Sequence, residues 1–253
     1  MNAMKWMLFG AAGALAVSGC VVDQAEGEGD PGEAEEAIIN GFDLFTPESI
    51  GVVKVMSSPG LSSGTLIRNQ WVLTSAHGVG TAASTTVELP SPVNPQTKTV
   101  AQVIKHPTLD VALLKLSSPL AMPAGLFQPW STTGYQKTIS SRTTNAMSGL
   151  AVNCAGYGRN TFTSGSGQLR WASFSVGPES STFFIVQNNS LSQVPWHGDS
   201  GGPCYPTADP FATEVLSVAK ECVFGVPPGG TGNVHYCRYT SAQAFRSWVL
   251  SNI

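Results

Sequence analysis

Charge is scarce in this chain. Only 11% of its 253 residues are Asp, Glu, Lys or Arg, less than half the roughly 25% of an average soluble domain. The formal net charge is −3, which gives no support for nucleic-acid binding. Long apolar runs are absent too: no stretch of about 20 apolar residues occurs, which excludes a transmembrane helix. Cysteine numbers five and histidine four. His197 and His235 lack metal-type spacing to other ligand residues, so no metal site is expected. No internal repeat is visible. In place of charge stand 28 Ser, 21 Thr, 27 Gly and 17 Pro. With 42% hydrophobic residues, that mix reads as a packed, turn-rich, secreted β protein rather than a disordered chain.

The few charges are unevenly placed. Residues 21–37 carry seven acids and no base, leaving 12 Lys and Arg against nine Asp and Glu in 38–253. The acidic stretch has no aromatic and no apolar periodicity, so it is read as a flexible propeptide or tether. Ahead of it, Lys5 precedes an apolar run over 6–17 and the end Val17-Ser18-Gly19-Cys20. That is an export-signal layout over 1–20, too short to span a membrane. Its end resembles the bacterial lipobox, which implies lipidation of Cys20; the alternative is an ordinary secretory signal cleaved near Gly19. Setting Cys20 aside leaves four cysteines, enough for two disulfides in an oxidising compartment. The expected location is outside the cytoplasm, at the envelope as a lipoprotein or extracellular after processing.

Three segments carry chemistry. Residues 64–79 read GTLIRNQWVLTSAHGV, residues 106–116 read HPTLDVALLKL, and residues 198–203 read GDSGGP. A Ser hydroxyl is a poor nucleophile at neutral pH and needs a base within hydrogen-bond reach. His77, after a Val-Leu-Thr strand, offers that imidazole, and Asp110 offers a carboxylate to hold its tautomer. Ser200 lies among Gly198, Gly201 and Gly202, where missing side chains let a substrate carbonyl approach. The backbone N–H groups of Gly198 and Ser200 offer an oxyanion hole. Taken singly, each residue has a plainer role, as a surface histidine, a turn cap or a turn serine. His106, before Pro107, is read as a loop residue. In the order His, Asp, Ser, the segments resemble the trypsin/chymotrypsin serine endopeptidases, from residue 38 to residue 248.

Short β-branched or apolar runs at 50–56, 63–74, 85–89, 99–105 and 111–116 read as strands, and a second series covers 149–157, 167–176, 182–187, 202–205, 213–219 and 234–240. Strand counts alone suggest a sandwich or barrel. The resemblance implies an all-β fold of two six-stranded antiparallel barrels, about 38–130 and 140–240, with the active site between them. Residues 241–253 then form a C-terminal α-helix; Ala244, Phe245, Trp248 and Val249 share one face and Ser241 is its candidate cap.

The chain departs from the family at several places. Between His77 and Asp110 the only acid is Glu88, too few oxygen ligands for calcium. The cysteine expected after the catalytic His is Gly78 and its partner is Ser63, so that bridge is absent. Val194 stands where trypsin-like members carry an Asp for Lys or Arg, and Ser217-Val218-Ala219 stands for Ser-Trp-Gly. Val194 and Ala219 imply a pocket for a small or medium uncharged side chain, and Ser217 implies support of Asp110. Four cysteines allow three connectivities. The resemblance implies Cys154–Cys204; Cys222 matches a family cysteine whose usual partner is Trp196 here, and Cys237 remains. Ile38-Ile39-Asn40-Gly41 resembles the family's mature N-terminus, which implies pairing of Ile38 with Asp199 after cleavage at Ala37. The function implied is a cofactor-free serine endopeptidase acting on protein or peptide substrates as a monomer, reaching a membrane only through Cys20. The alternative is a silent secreted binding protein on the same fold. Such relatives have usually lost the His or the Ser, and both are intact here.

Overall fold

The computed structural model describes residues 38–43, 47–92, 94–121, 130–131, 134–163 and 165–253. The signal segment, Cys20 and the acidic stretch lie outside the described residues.

Six strands, Val52–Ser57, Gly60–Arg68, Trp71–Thr74, Thr86–Leu89, Gln96–Lys105 and Ala112–Leu116, close into one antiparallel barrel. The two-residue period of a strand decides which side chains fill it. Val53, Val55, Leu66, Val72, Leu114 and Leu116 point inward, and the alternate residues Ile67, Leu73 and Leu113 point outward yet are equally buried. These strands are covered on both faces, which is why they read as continuous apolar runs. The run read as a single strand over 63–74 is two strands, because Asn69 and Gln70 make the turn that pairs Arg68 with Trp71. Register shifts at Leu66/Arg68 and Val100/Gln102 bend the long strands around the barrel. Gly64 is needed inside it, since a Cβ there would come within 2.8 Å of Val72 Cγ1.

The second half forms two four-stranded sheets around one core. Phe42–Asp43, Arg170–Ser175, Ala151–Gly156 and Cys204–Pro206 make the first; Gly177–Pro178, Phe183–Gln187, Val234–Ser241 and Ser217–Gly225 make the second. The chain runs from one sheet into the other through Val176, between Ser175 and Gly177. At the opposite seam Leu216 N–H donates to Cys204 O and Ala219 N–H to Gly202 O, both at 2.9 Å. The two sheets enclose Val152, Phe174, Phe184, Val186, Leu216 and Tyr239. Among the described residues only the first half forms a closed six-stranded barrel; the second half is two sheets joined by loop bonds and one bent segment. Two cross-strand disulfides, Cys154–Cys204 and Cys222–Cys237, join residues that are register partners.

The helix Ala242–Asn252 follows. It buries Ala242, Phe245 and Val249, with Trp248 partly buried, against the outer face of the first barrel at Ile67, Leu73, Val111 and Leu113. Ser241 stands at its N-cap without a side-chain bond. Burying a side chain such as Phe245 contributes ~1.5–3 kcal/mol, more than the ~1 kcal/mol of a typical cap, so packing fixes this helix. No helix among the described residues is long and apolar enough to cross a membrane.

Candidate active site

The pairing of Trp71–Thr74 with Ala112–Leu116 brings Thr74 opposite Ala112. The residues just beyond that pair, His77 and Asp110, are therefore delivered to one place at the barrel's end. The His77 backbone N–H donates to Asp110 Oδ1 at 2.8 Å, and His77 Nδ1 lies 2.6 Å from Asp110 Oδ2. The Asp110 side chain is 18% exposed and that of His77 50%. Burial pushes the Asp110 carboxyl up, but the His77 side-chain hydrogen bond and charge, with the His77 and Ala76 N–H groups, outweigh it and hold it below its ordinary value. An ionised carboxylate only accepts, so His77 Nδ1 donates in this bond, and in a neutral imidazole Nε2 is then the acceptor. His106 shapes the turn before Asp110: its Nδ1 accepts the N–H groups of Thr108 and Leu109, and its ring packs edge-on against Trp248.

Ser200 reaches the same place from the second half. His77, Gly78, His197, Gly198 and Ser200 line one cleft of about 190 Å³ together with residues 59–62. Gly198 and Gly201 have φ of 89° and 85°, a region that L side chains rarely adopt. A Cβ on Gly201 would also collide with Ser63 O and Thr74 Oγ1. Every peptide of the loop is held: Arg159 N–H donates to His197 O, Gly202 N–H to Asp199 O, and Ser63 N–H to Ser200 O, at 2.7, 2.8 and 2.8 Å. No hydrogen bond joins Ser200 to His77 among the described residues.

Asp199 turns away from the cleft and is 2% exposed. Trp196 N–H donates to its Oδ2 at 2.8 Å, Gly158 N–H to its Oδ1 at 2.9 Å, and the backbone N–H of Ile38 is a third donor. Burial outweighs these bonds and pushes the carboxyl up to about 7. Gly156 and Gly158 are required here because a Cβ on either would run into Asp199. Ile38 and Ile39 are buried, and Ile39 makes an antiparallel bridge with Val194.

Three further expected positions lie in the second half. The Ser217 hydroxyl accepts the Cys204 N–H at 3.3 Å, at the start of the strand Ser217–Gly225. Val194 and Ala219 are 1% and 2% exposed and belong to the core of the second half with Cys237. Among the described residues no group of three His, Cys, Asp or Glu could hold a metal ion.

Two features escaped the sequence reading. Trp196 packs edge-on against Phe162, His197 and His235, with centroids 5.0–5.2 Å apart, a ring cluster drawn from distant segments. Ser63, noted only as a missing cysteine, is wholly buried beneath the Ser200 loop. Its one signal was its place just before a glycine in an apolar strand.

The Trypsin family model matches residues 39–249. No curated protein sequence gives a significant match. The match takes in the barrel, both arms of the cleft and the C-terminal helix, and the chain belongs to the trypsin family, whose members are serine-type peptidases that act on proteins or peptides.

Proposed function

We propose that this chain is a serine endopeptidase in which Ser200 is the nucleophile, His77 the general base and Asp110 the residue that orients His77. The observation that carries the reading is the 2.6 Å contact between His77 Nδ1 and Asp110 Oδ2 at a cleft that also holds Ser200. His77 Nε2 takes the Ser200 proton as Oγ attacks the peptide carbonyl carbon. The oxyanion that forms is met by the N–H groups of Gly198 and Ser200. His77 returns the proton to the leaving amine, and water, activated by the same imidazole, releases the acyl group from Ser200. Asp110 stabilises the imidazolium in both steps without taking its proton.

The finer readings rest on single features. The side chain accepted next to the cut bond is small or medium and uncharged. Val194 and Ala219 offer no carboxylate, and a Lys or Arg head group left unpaired in such a site is strongly disfavoured. Activity follows a cut after Ala37. The Ile38 N–H already faces the buried Asp199, and a free ammonium there supplies the cation which that carboxylate lacks. The protein is exported as a monomer, tethered by a lipid on Cys20 until that cut releases it; the two disulfides fit an oxidising compartment. The test is peptide hydrolysis by the chain beginning at Ile38 against its Ser200→Ala variant. Activity lost by several orders of magnitude with an unchanged melting curve is expected, and undiminished hydrolysis contradicts the reading.

A further inference from the structure

We propose that Ser63 is a positioning residue that aims the Ser200 N–H and sets the spacing of Ser200 from His77. The inference rests on the reading of Ser200 as nucleophile and Gly198 and Ser200 as oxyanion donors.

All the polar groups of Ser63 are committed. Its hydroxyl donates to Gly198 O at 2.9 Å and accepts the Tyr157 N–H at 2.8 Å. Its N–H donates to Ser200 O at 2.8 Å, and its carbonyl accepts from Thr74 Oγ1 at 2.7 Å. Those bonds fall on particular peptides of the loop. The Gly198–Asp199 plane is held by the Ser63 hydroxyl and the Ser200–Gly201 plane by the Ser63 N–H. The peptide between them carries the Ser200 N–H, so Ser63 braces that donor on both sides. The fourth bond runs the other way, to Thr74, three residues before His77 on the neighbouring strand. One residue of the first barrel thus links the strand that delivers His77 to the loop that delivers Ser200.

The surroundings are built to that contact. A Cβ on Gly156 would lie 3.0 Å from Ser63 Oγ, and a Cβ on Gly201 would collide with Ser63 O. Ser63 is 0% exposed, so no water can replace its hydroxyl without displacing protein atoms. Ser63→Ala removes the bond to Gly198 O and leaves the Tyr157 N–H without an acceptor, while the backbone bonds to Ser200 and Thr74 persist. The expected defect is in aim rather than in substrate binding, and such a defect appears in the transition state alone.

The test uses the chain beginning at Ile38, with kcat, KM, the affinity of a peptide boronic acid that forms a tetrahedral adduct on Ser200, and a melting curve. Ser140→Ala is the control for losing a buried hydroxyl; Ser140 bonds to Glu214 and Arg142 and makes no bond to residues 198–202. For Ser63→Ala, kcat and boronate affinity are expected to fall together by about 10–100-fold, somewhat less than loss of an oxyanion donor itself, with KM changed less than about twofold. Ser63→Cys, which keeps the volume with a weaker donor, is expected between Ala and wild type, and is read in the same way where Ser63→Ala does not fold. Unchanged kcat and boronate affinity in folded Ser63→Ala or Ser63→Cys overturns the proposal. So does a loss matched by Ser140→Ala at equal loss of melting temperature. A wild-type chain that forms no boronate adduct overturns instead the reading of Ser200 as nucleophile.

Discussion

The buried carboxyl of Asp199 makes the stability of the uncut chain depend on pH in a direction opposite to that of most acids. Burial raises it from an ordinary 3.8 to about 7, and its partners among the described residues are backbone N–H groups. Above pH ~4 the unfolded chain has lost this proton, whereas the folded chain keeps it until pH approaches about 7. The folded state binds more protons throughout that window, so stability falls as pH rises through it and levels off above. A difference of about three pKa units at ~1.4 kcal/mol each amounts to ~4 kcal/mol, a large share of the 5–15 kcal/mol typical of a domain. Starting the chain at Ile38 places an ammonium where the amide N–H now lies, and Asp199 then stays ionised at little cost. Urea midpoints of a chain retaining residues before Ile38 should therefore fall from pH 5 to 7 relative to those of the chain beginning at Ile38, while His106, His197 and His235, held by burial below their ordinary value, add the same rise to both. Asp199→Asn in the longer chain should remove that relative fall. Parallel profiles for the two chains would refute the reasoning.

Asp110→Asn should lower kcat by about 10³–10⁴-fold at neutral pH. An Asn amide can donate to His77 Nδ1 and so favours the wrong tautomer; a loss under tenfold would contradict the proposed role. Removing Cys222–Cys237, which closes a separation of 15 residues, by paired substitution to Ser should cost ~3 kcal/mol in urea unfolding, and no loss would show the bridge to be idle. A peptide-library profile should favour small or medium uncharged residues before the cut, and one dominated by Lys or Arg would reject the pocket reading.

The strands were legible where chemistry is local. Residues 111–116 are apolar on both faces because the barrel interior covers one face and the helix the other. The Gly residues around Ser200 stand out because two of them adopt a backbone conformation that other residues avoid. The split at Asn69 and Gln70 was not legible, since Leu, Ile, Trp and Val continue on either side of a turn without Gly or Pro. Contacts between distant segments were hidden for another reason. A serine suits a buried strut as well as a surface turn, so nothing local separates Ser63 from the other serines of the chain.

The central claim is that Ser200 is a nucleophile activated by His77. Its most direct measurement is labelling of the chain beginning at Ile38 with a fluorophosphonate, followed by mass mapping of the modified peptide. One adduct is expected, on Ser200, lost in Ser200→Ala and slowed by orders of magnitude in His77→Ala. An intact, folded chain that takes up no label, or takes it up elsewhere than Ser200, would contradict it.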